Sequence, residues 1–509
     1  MDLAESELRQ SPPPPYGAFS YGTEYQYGEH YANQVPSAIS YQRNDAVPQF
    51  PGDVPPSPHV AAANQVHINP AHGRFNSASS DVPPYARASA YEDLTKNGIP
   101  DPTDLLDNYF PFRDVSLDRP GSTAGVLKIL NTPYDVTKNE IVAMLGRDAK
   151  IATYPSSSSY YGIHIMFDRS TGKTGEVLVE LQSDEEAQNV AKSLERYSRR
   201  TGKARMCGNR VTSIEVVGQE ELMALLFPKA KCCGWIGQYA HVRDPSEHES
   251  AFEGFMNTEE LRQIVMHAQK PGKGQFGKNA PQRPYEALIS VLQKFPWHQS
   301  DHITLAERDN IFNTVRDMVG LLVRQVCQES KHSGQFGLKL NQQLLNELVI
   351  VSCSEALFNP AQQRHLLDLT YGETQVNYPL PRLANWWPFE VLTYRPGVNE
   401  KLLEYYAILI KQATTSPDVN SPEELEQVRR MIPLMDTLPF GAFIMRYDEN
   451  KFLIDCADIA RMEEDIVTYL IRRVMDKAAD YGIYIPNCHD IPDPHAGPDA
   501  MVPWAGDVY

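Results

Sequence analysis

Several short stretches of this sequence hold residue types that could do chemistry. Residues 166–181 read MFDRSTGKTGEVLVEL, and Gly172-Lys173-Thr174 at their centre is how a phosphate-cradling P-loop ends. Such a loop needs a glycine five positions before Gly172, so that backbone N–H groups can wrap a phosphate, and it must open a helix whose N-terminus faces the anion. Phe167 stands at that position, and Glu176-Val177-Leu178-Val179-Glu180-Leu181 alternates with period two. A hairpin followed by a strand is expected instead. Gly272 to Gly277 matches the dinucleotide pattern G-x-G-x-x-G, but it follows a helical pattern and runs into Pro281, where strand–turn–helix is required. Cys232-Cys233 with His241 and His248 offers metal-ligating types, yet adjacent cysteines rarely chelate one tetrahedral ion and the usual two-to-four-residue gap is missing. Trp386-Trp387-Pro388-Phe389 reads as a core plug, and Glu463-Glu464-Asp465 as a solvated helix start that suits the dipole. No Gly-x-Ser-x-Gly, His-Glu-x-x-His or comparable catalytic set is present. No catalytic residue, metal or cofactor is expected, and the chain reads as non-enzymatic.

What remains is a local basic surface. The 509 residues carry 47 Lys+Arg against 65 Asp+Glu, a net charge of −18, which argues against a protein that coats nucleic acid over its whole surface. Residues 123–243 depart from this, with 16 basic against 13 acidic residues, while the remainder holds 31 against 52. The excess gathers at Arg196, Arg199, Arg200, Lys203, Arg205 and Arg210, then Lys229 and Lys231. A basic patch on an acidic chain is an electrostatic footprint for RNA.

The elements that must position this patch follow from patterning. Residues 1–118 are rich in Pro, Tyr, Ser and Asn, and the first lysine is Lys96. They are expected to be a disordered tail, unable to offset chain entropy by burial. Within it, Pro13-Pro14-Pro15-Tyr16 fits a WW-domain ligand. Residues 119–243 alternate strands and helices. Strands are expected at Val126–Asn131, Ile163–Phe167, Glu176–Leu181 and Val211–Val217. Thr137-x-x-Glu140 and Ser183-x-x-Glu186 are capping boxes that open two helices. The order β-α-β-β-α-β places both helices on one sheet face. Residues 252–482 read as an α-helical domain, with helices led by Leu261, Leu288 and Ile311 and further ones near 341–358, 398–415, 422–432 and 458–481. Residues 483–509 read as a loose tail. The start MDLAESELRQS lacks a signal pattern, no apolar run suits a membrane span, and the seven scattered cysteines suit reduced thiols. Nucleus or cytoplasm is the expected compartment.

The strand–helix order with its hairpin at 168–175 resembles the RNA recognition motif, which displays aromatic rings on its open sheet face. Here the ring positions hold Lys128, Glu176 and Leu178. The segment 124–235 resembles the ring-poor branch of that family, the quasi-RNA-recognition motif of the heterogeneous nuclear ribonucleoprotein F/H group. The resemblance rests on Leu130-Asn131-Thr132-Pro133-Tyr134, Gly162-Ile163-His164, Thr174 to Leu181 and Gln219-Glu220-Glu221-Leu222-Met223. Pro281 to Glu286 and Trp387 to Glu390 look like the helical portion that follows this domain in fungal forms. It implies single-stranded RNA gripped by loops rather than by the sheet. Tyr134 stands at the aromatic after the proline, and Arg210-Val211 where the family has an Arg-Tyr pair. The expected RNA contacts are Tyr134, Lys128, Arg169, Lys173, Arg199, Arg200, Lys203, Arg205 and Arg210. The function implied is post-transcriptional mRNA metabolism, namely splicing, processing, transport or stability, beside other ribonucleoprotein proteins. The alternative is a protein-interaction scaffold whose RNA-recognition fold no longer binds RNA.

Overall fold

The computed structural model describes residues 82–114, 122–154, 160–202, 206–245, 250–271, 277–331, 339–354, 358–372, 374–433, 435–443 and 451–481. The WW-type motif, Lys203, Arg205 and the C-terminal tail lie outside them. The protein is α+β, with small antiparallel sheets and a larger helical part.

The main sheet is built from β1 (Gly125–Leu130), β2 (Ile163–Phe167), β3 (Thr174–Leu181) and β4 (Ser213–Val217). Its order is β2-β3-β1-β4, all neighbours antiparallel, with Lys128 opposite both Leu178 and Glu215. Between β1 and β2 runs α1 (Lys138–Leu145), and between β3 and β4 runs α2 (Asp184–Thr201). Thr137 and Glu140 form the full reciprocal cap of α1, whereas Ser183 accepts from Glu186 N–H at the start of α2. Period two divides the strands cleanly. Leu127, Ile129, Ile163, Ile165, Val177 and Val179 face Ile141, Leu145, Val190 and Leu194 and form one core. Gly125 lets β1 pass close under α2, since a Cβ there would lie 2.4 Å from Ser183 O.

The opposite sheet face is not open. Val126, Met166 and Leu178 belong to the large core of the helical region, and Leu178 is fully buried. Two helices cover this face: α3 (Gln219–Leu226), directly after β4, and α5 (Arg283–Lys294), which crosses β2. Between α3 and α5 stand the hairpin of β5 (Cys233–Ile236) and β6 (Tyr239–Val242), then α4 (Thr258–Gln269). Beyond them follow α6 (Leu305–Lys331), α7 (Gln342–Ser354), α8 (Pro360–Asp368), α9 (Glu400–Thr415), α10 (Pro422–Met431) and α11 (Cys456–Tyr481). No helix among the described residues is long and apolar enough to cross a membrane.

Three further features differ from the sequence expectations. Glu463, expected at a solvated helix start, lies within α11, is fully buried and accepts from the N–H groups of Glu390, Val391 and Leu392. Residues 82–114, read as part of a disordered tail, are built into the helical core. Ala90–Thr95 is a short helix, Phe112-Arg113 pairs with Thr393-Tyr394, and Tyr91, Leu105, Phe110 and Phe112 are buried. Their apolar residues follow no regular period, so only their partners reveal them; Phe112 meets Trp387, Phe389 and Tyr406 edge-to-face. The helix α8 was also unforeseen, although Asn359 and Gln362 form a capping box with Pro360 in the first turn. Trp387 is the core plug its setting suggested, its Nε1–H donating to Leu392 O at 2.8 Å.

Candidate functional site

The β1–α1 loop, the β2–β3 hairpin and the chain leading into β4 meet at one ring. Tyr134 is half-buried just after Pro133. The guanidinium of Arg210 lies 4.8 Å from its ring centroid and Lys173 Nζ lies 5.7 Å from it, both within cation–π range. Arg210 is held at Arg210-Val211, which pairs with Met206-Cys207, and its Nη1 donates to Thr132 O at 3.3 Å. Lys173 is exposed at the hairpin turn. That turn closes through Gly172 at φ +75°, where glycine avoids the Cβ penalty of the left-handed region, and Gly172 N–H donates to Asp168 O at 2.8 Å. The Asp168 carboxylate accepts from the Thr171 and Ser170 hydroxyls, which hold its pKa down at about 2.

The Tyr134 loop is fastened from beneath. Thr174 Oγ1 donates to Tyr134 O at 2.7 Å. Arg283, in the first turn of α5, is almost fully buried. It donates to Val136 O at 2.6 Å, to Tyr134 O at 3.4 Å and to Thr174 Oγ1 at 3.2 Å, and it pairs with Glu286. Arg283 escaped the sequence reading, where Pro281 to Glu286 registered only as part of a resemblance. Its readable signal is a carboxylate three residues on, on the same helix face.

The other expected contact residues are placed differently. Lys128 sits under α3, bonded to Glu221 at 2.6 Å and 3.7 Å from Glu176; the Glu221 bond raises its pKa. Arg169 is largely buried, paired with Glu260 and donating to Leu226 O at 2.5 Å. Both are engaged inside the protein. Arg199 and Arg200 are exposed on the last turn of α2, where Arg199 pairs with Glu195 at 2.6 Å. Of the described candidates, the structure therefore brings Tyr134, Lys173 and Arg210 together.

The covered sheet face holds a buried polar cluster. Glu180 accepts from Lys294 Nζ at 2.8 Å and from Gln219 Nε2 at 2.6 Å, and lies 3.1 Å from His164 Nε2. Burial pushes the Glu180 carboxyl up, but Lys294 and His164 together outweigh it and leave it below the ordinary carboxylate range. Burial lowers His164, so it stays neutral and donates from Nε2. Each member finds a partner on another element, and the cluster locks α3 and α5 to β2 and β3.

Two family models match the chain: a domain of unknown function (DUF8400) over residues 123–237, and a domain of unknown function (DUF8399) over residues 252–371. The first spans the main sheet, α1 to α3 and β5, and the second spans α4 to α8. No curated protein and no solved structure matches.

Proposed function

We propose that this chain is an RNA-binding protein of post-transcriptional mRNA metabolism, related to the quasi-RNA-recognition motifs, which grips single-stranded RNA at the loop rim rather than across the sheet. The observation that carries the reading is the meeting of Tyr134, Lys173 and Arg210 at 4.8–5.7 Å on the rim of a sheet whose other face is sealed. A ring flanked by two cations offers a base a stacking surface and its phosphates two counter-charges. The strand order β2-β3-β1-β4 with both helices on one face is the order of the RNA recognition motif and supports the kinship. Burial of Leu178 and the pairing of Lys128 with Glu221 favour loops over sheet as the contact surface.

The test is RNA crosslinking and titration with the full chain. Tyr134→Ala should weaken binding of single-stranded RNA by about 1–3 kcal/mol while leaving the thermal midpoint close to that of the parent. Equal affinities in the two proteins would remove Tyr134 from the site. A scaffold without RNA binding is the second reading, favoured by the use of Lys128 and Arg169 in internal ion pairs. It predicts no RNA crosslink at all.

A further inference from the structure

A cleft of about 650 Å³ opens beside the β2–β3 hairpin, walled by the hairpin, the end of α3, the start of α4 and α5. Its size falls among small-ligand sites, which run from about 300 to 1,000 Å³. We infer that this cleft is a nucleotide subsite that receives a second nucleotide of the same RNA strand whose neighbour stacks on Tyr134. The inference rests on the RNA reading above and adds a site to it.

The chemistry of the lining selects the ligand class. Met166, Leu225, Leu226 and Val291 supply an apolar wall, with a thioether among them that suits a ring. Acidic side chains also line the cleft, and each has a cation or hydrogen-bond donors of its own. Glu260 pairs with Arg169, Glu259 with Arg262 at 2.7 Å, and Glu176 lies 3.7 Å from Lys128. Asp168 stays ionised, its oxygens occupied by the Ser170 and Thr171 hydroxyls. Lys173 and Lys229 line the same cleft, both are exposed, and among the described residues neither has a carboxylate within ion-pair distance. Lys173 and Lys229 are therefore the lining cations that a phosphate reaches without breaking an ion pair among the described residues, above an apolar wall. A base with its phosphate meets both, whereas an acidic peptide would use the lysines and leave the wall without a ring.

Continuity with Tyr134 is direct. Lys173 lines the cleft and lies 5.7 Å from the Tyr134 ring; Thr174 lines it too and is bonded to Tyr134 O at 2.7 Å. A strand stacked on Tyr134 can pass Lys173 and place its next base in the cleft.

The experiment measures the affinity of the full chain for oligoadenylates of increasing length and reads the ratio between the longest and the shortest. In the parent, engagement of the cleft should appear as a step of about 5- to 150-fold, the value of one stacked base. Ala287→Phe, which fills the cleft from α5, and Lys229→Glu, which reverses its rim, should each shrink the step. Tyr134→Ala should lower all lengths alike. Lys229→Glu is an exposed change, so it carries the test even where Ala287→Phe perturbs folding. A step that persists in Lys229→Glu and in folded Ala287→Phe overturns the subsite, as it would if the cleft served an acidic peptide. A parent that binds RNA with no step overturns the subsite and leaves the Tyr134 reading standing. A parent that binds no oligomer overturns both.

Discussion

Glu307 shows how a carboxylate at capping-box spacing can serve another role. Thr304 and Glu307 have capping-box spacing, and Glu307 N–H does bond Thr304 Oγ1 at 3.2 Å. The carboxylate, however, turns away to accept the N–H groups of Phe255 and Met256, each at 2.8 Å, through one oxygen. Its other oxygen is buried without a partner among the described residues. Burial pushes the carboxyl up from 4.5 to about 7, against the downward pull of the two N–H groups. A folded pKa above the unfolded one gives stability that is full below about 4.5 and is lost as pH rises to about 7. Glu307→Gln keeps the accepting oxygen and removes the charge. It should be more stable than the parent at pH 8 by an amount on the order of 2–3 kcal/mol, with little difference at pH 4. Urea unfolding at both pH values reads this out, and an equal offset at both would show that Glu307 does not titrate. Glu180 works in the opposite sense, since its depressed pKa supplies stability above the ordinary carboxylate range that is lost on acidification.

The helix α5 shows why an amphipathic reading stops halfway. Leu288, Ile289 and Leu292 announced one buried face, yet Arg283, Glu286, Ser290, Gln293 and Lys294 are buried as well. The second face meets the sheet unit through charge, with Arg283 at one end holding the Tyr134 loop and Lys294 at the other holding Glu180. Polar residues on a helix look solvated until the partner that satisfies them is known. Arg283→Lys should show the difference, because an ammonium cannot reproduce the planar fork that reaches Val136 O, Tyr134 O and Glu286 together. The variant keeps the charge, so it should lose less stability than the ~3–5 kcal/mol of a fully broken buried charge pair. It should also gain hydrogen exchange over residues 132–137 ahead of global unfolding. Unchanged exchange in that loop would mean Arg283 supports α5 alone.

The molecule as a whole is less divisible than its pattern of strands and helices suggests. Val126, Met166 and Leu178 face the helical region, and Glu180 depends on Lys294 of α5. A fragment of residues 119–243 would expose those apolar groups and strand a buried carboxylate. It should bind a hydrophobic dye, self-associate and melt well below a fragment of residues 82–481. An isolated 119–243 domain that is monomeric and melts at the same temperature would refute this coupling. The segment 82–114 belongs with the larger fragment, because Phe112-Arg113 closes a sheet with Thr393-Tyr394 and the Tyr406 hydroxyl donates to Leu105 O.

Local chemistry was legible from order along the chain. Period two set which residues of β1, β2 and β3 face α1 and α2, Gly172 and the failed P-loop pattern marked the hairpin, and Thr137-x-x-Glu140 marked the start of α1. These are properties of neighbours within a few residues, where steric and hydrogen-bond preferences act directly. Only the tertiary structure decided which cations remain available. Lys128, Arg169, Lys173 and Arg210 look alike as residue types, but two of them meet carboxylates 91–93 residues away and the other two meet Tyr134. The covering of Leu178 by a helix more than a hundred residues downstream was equally hidden, because burial is a property of surfaces brought together and no period in a single segment records its partner.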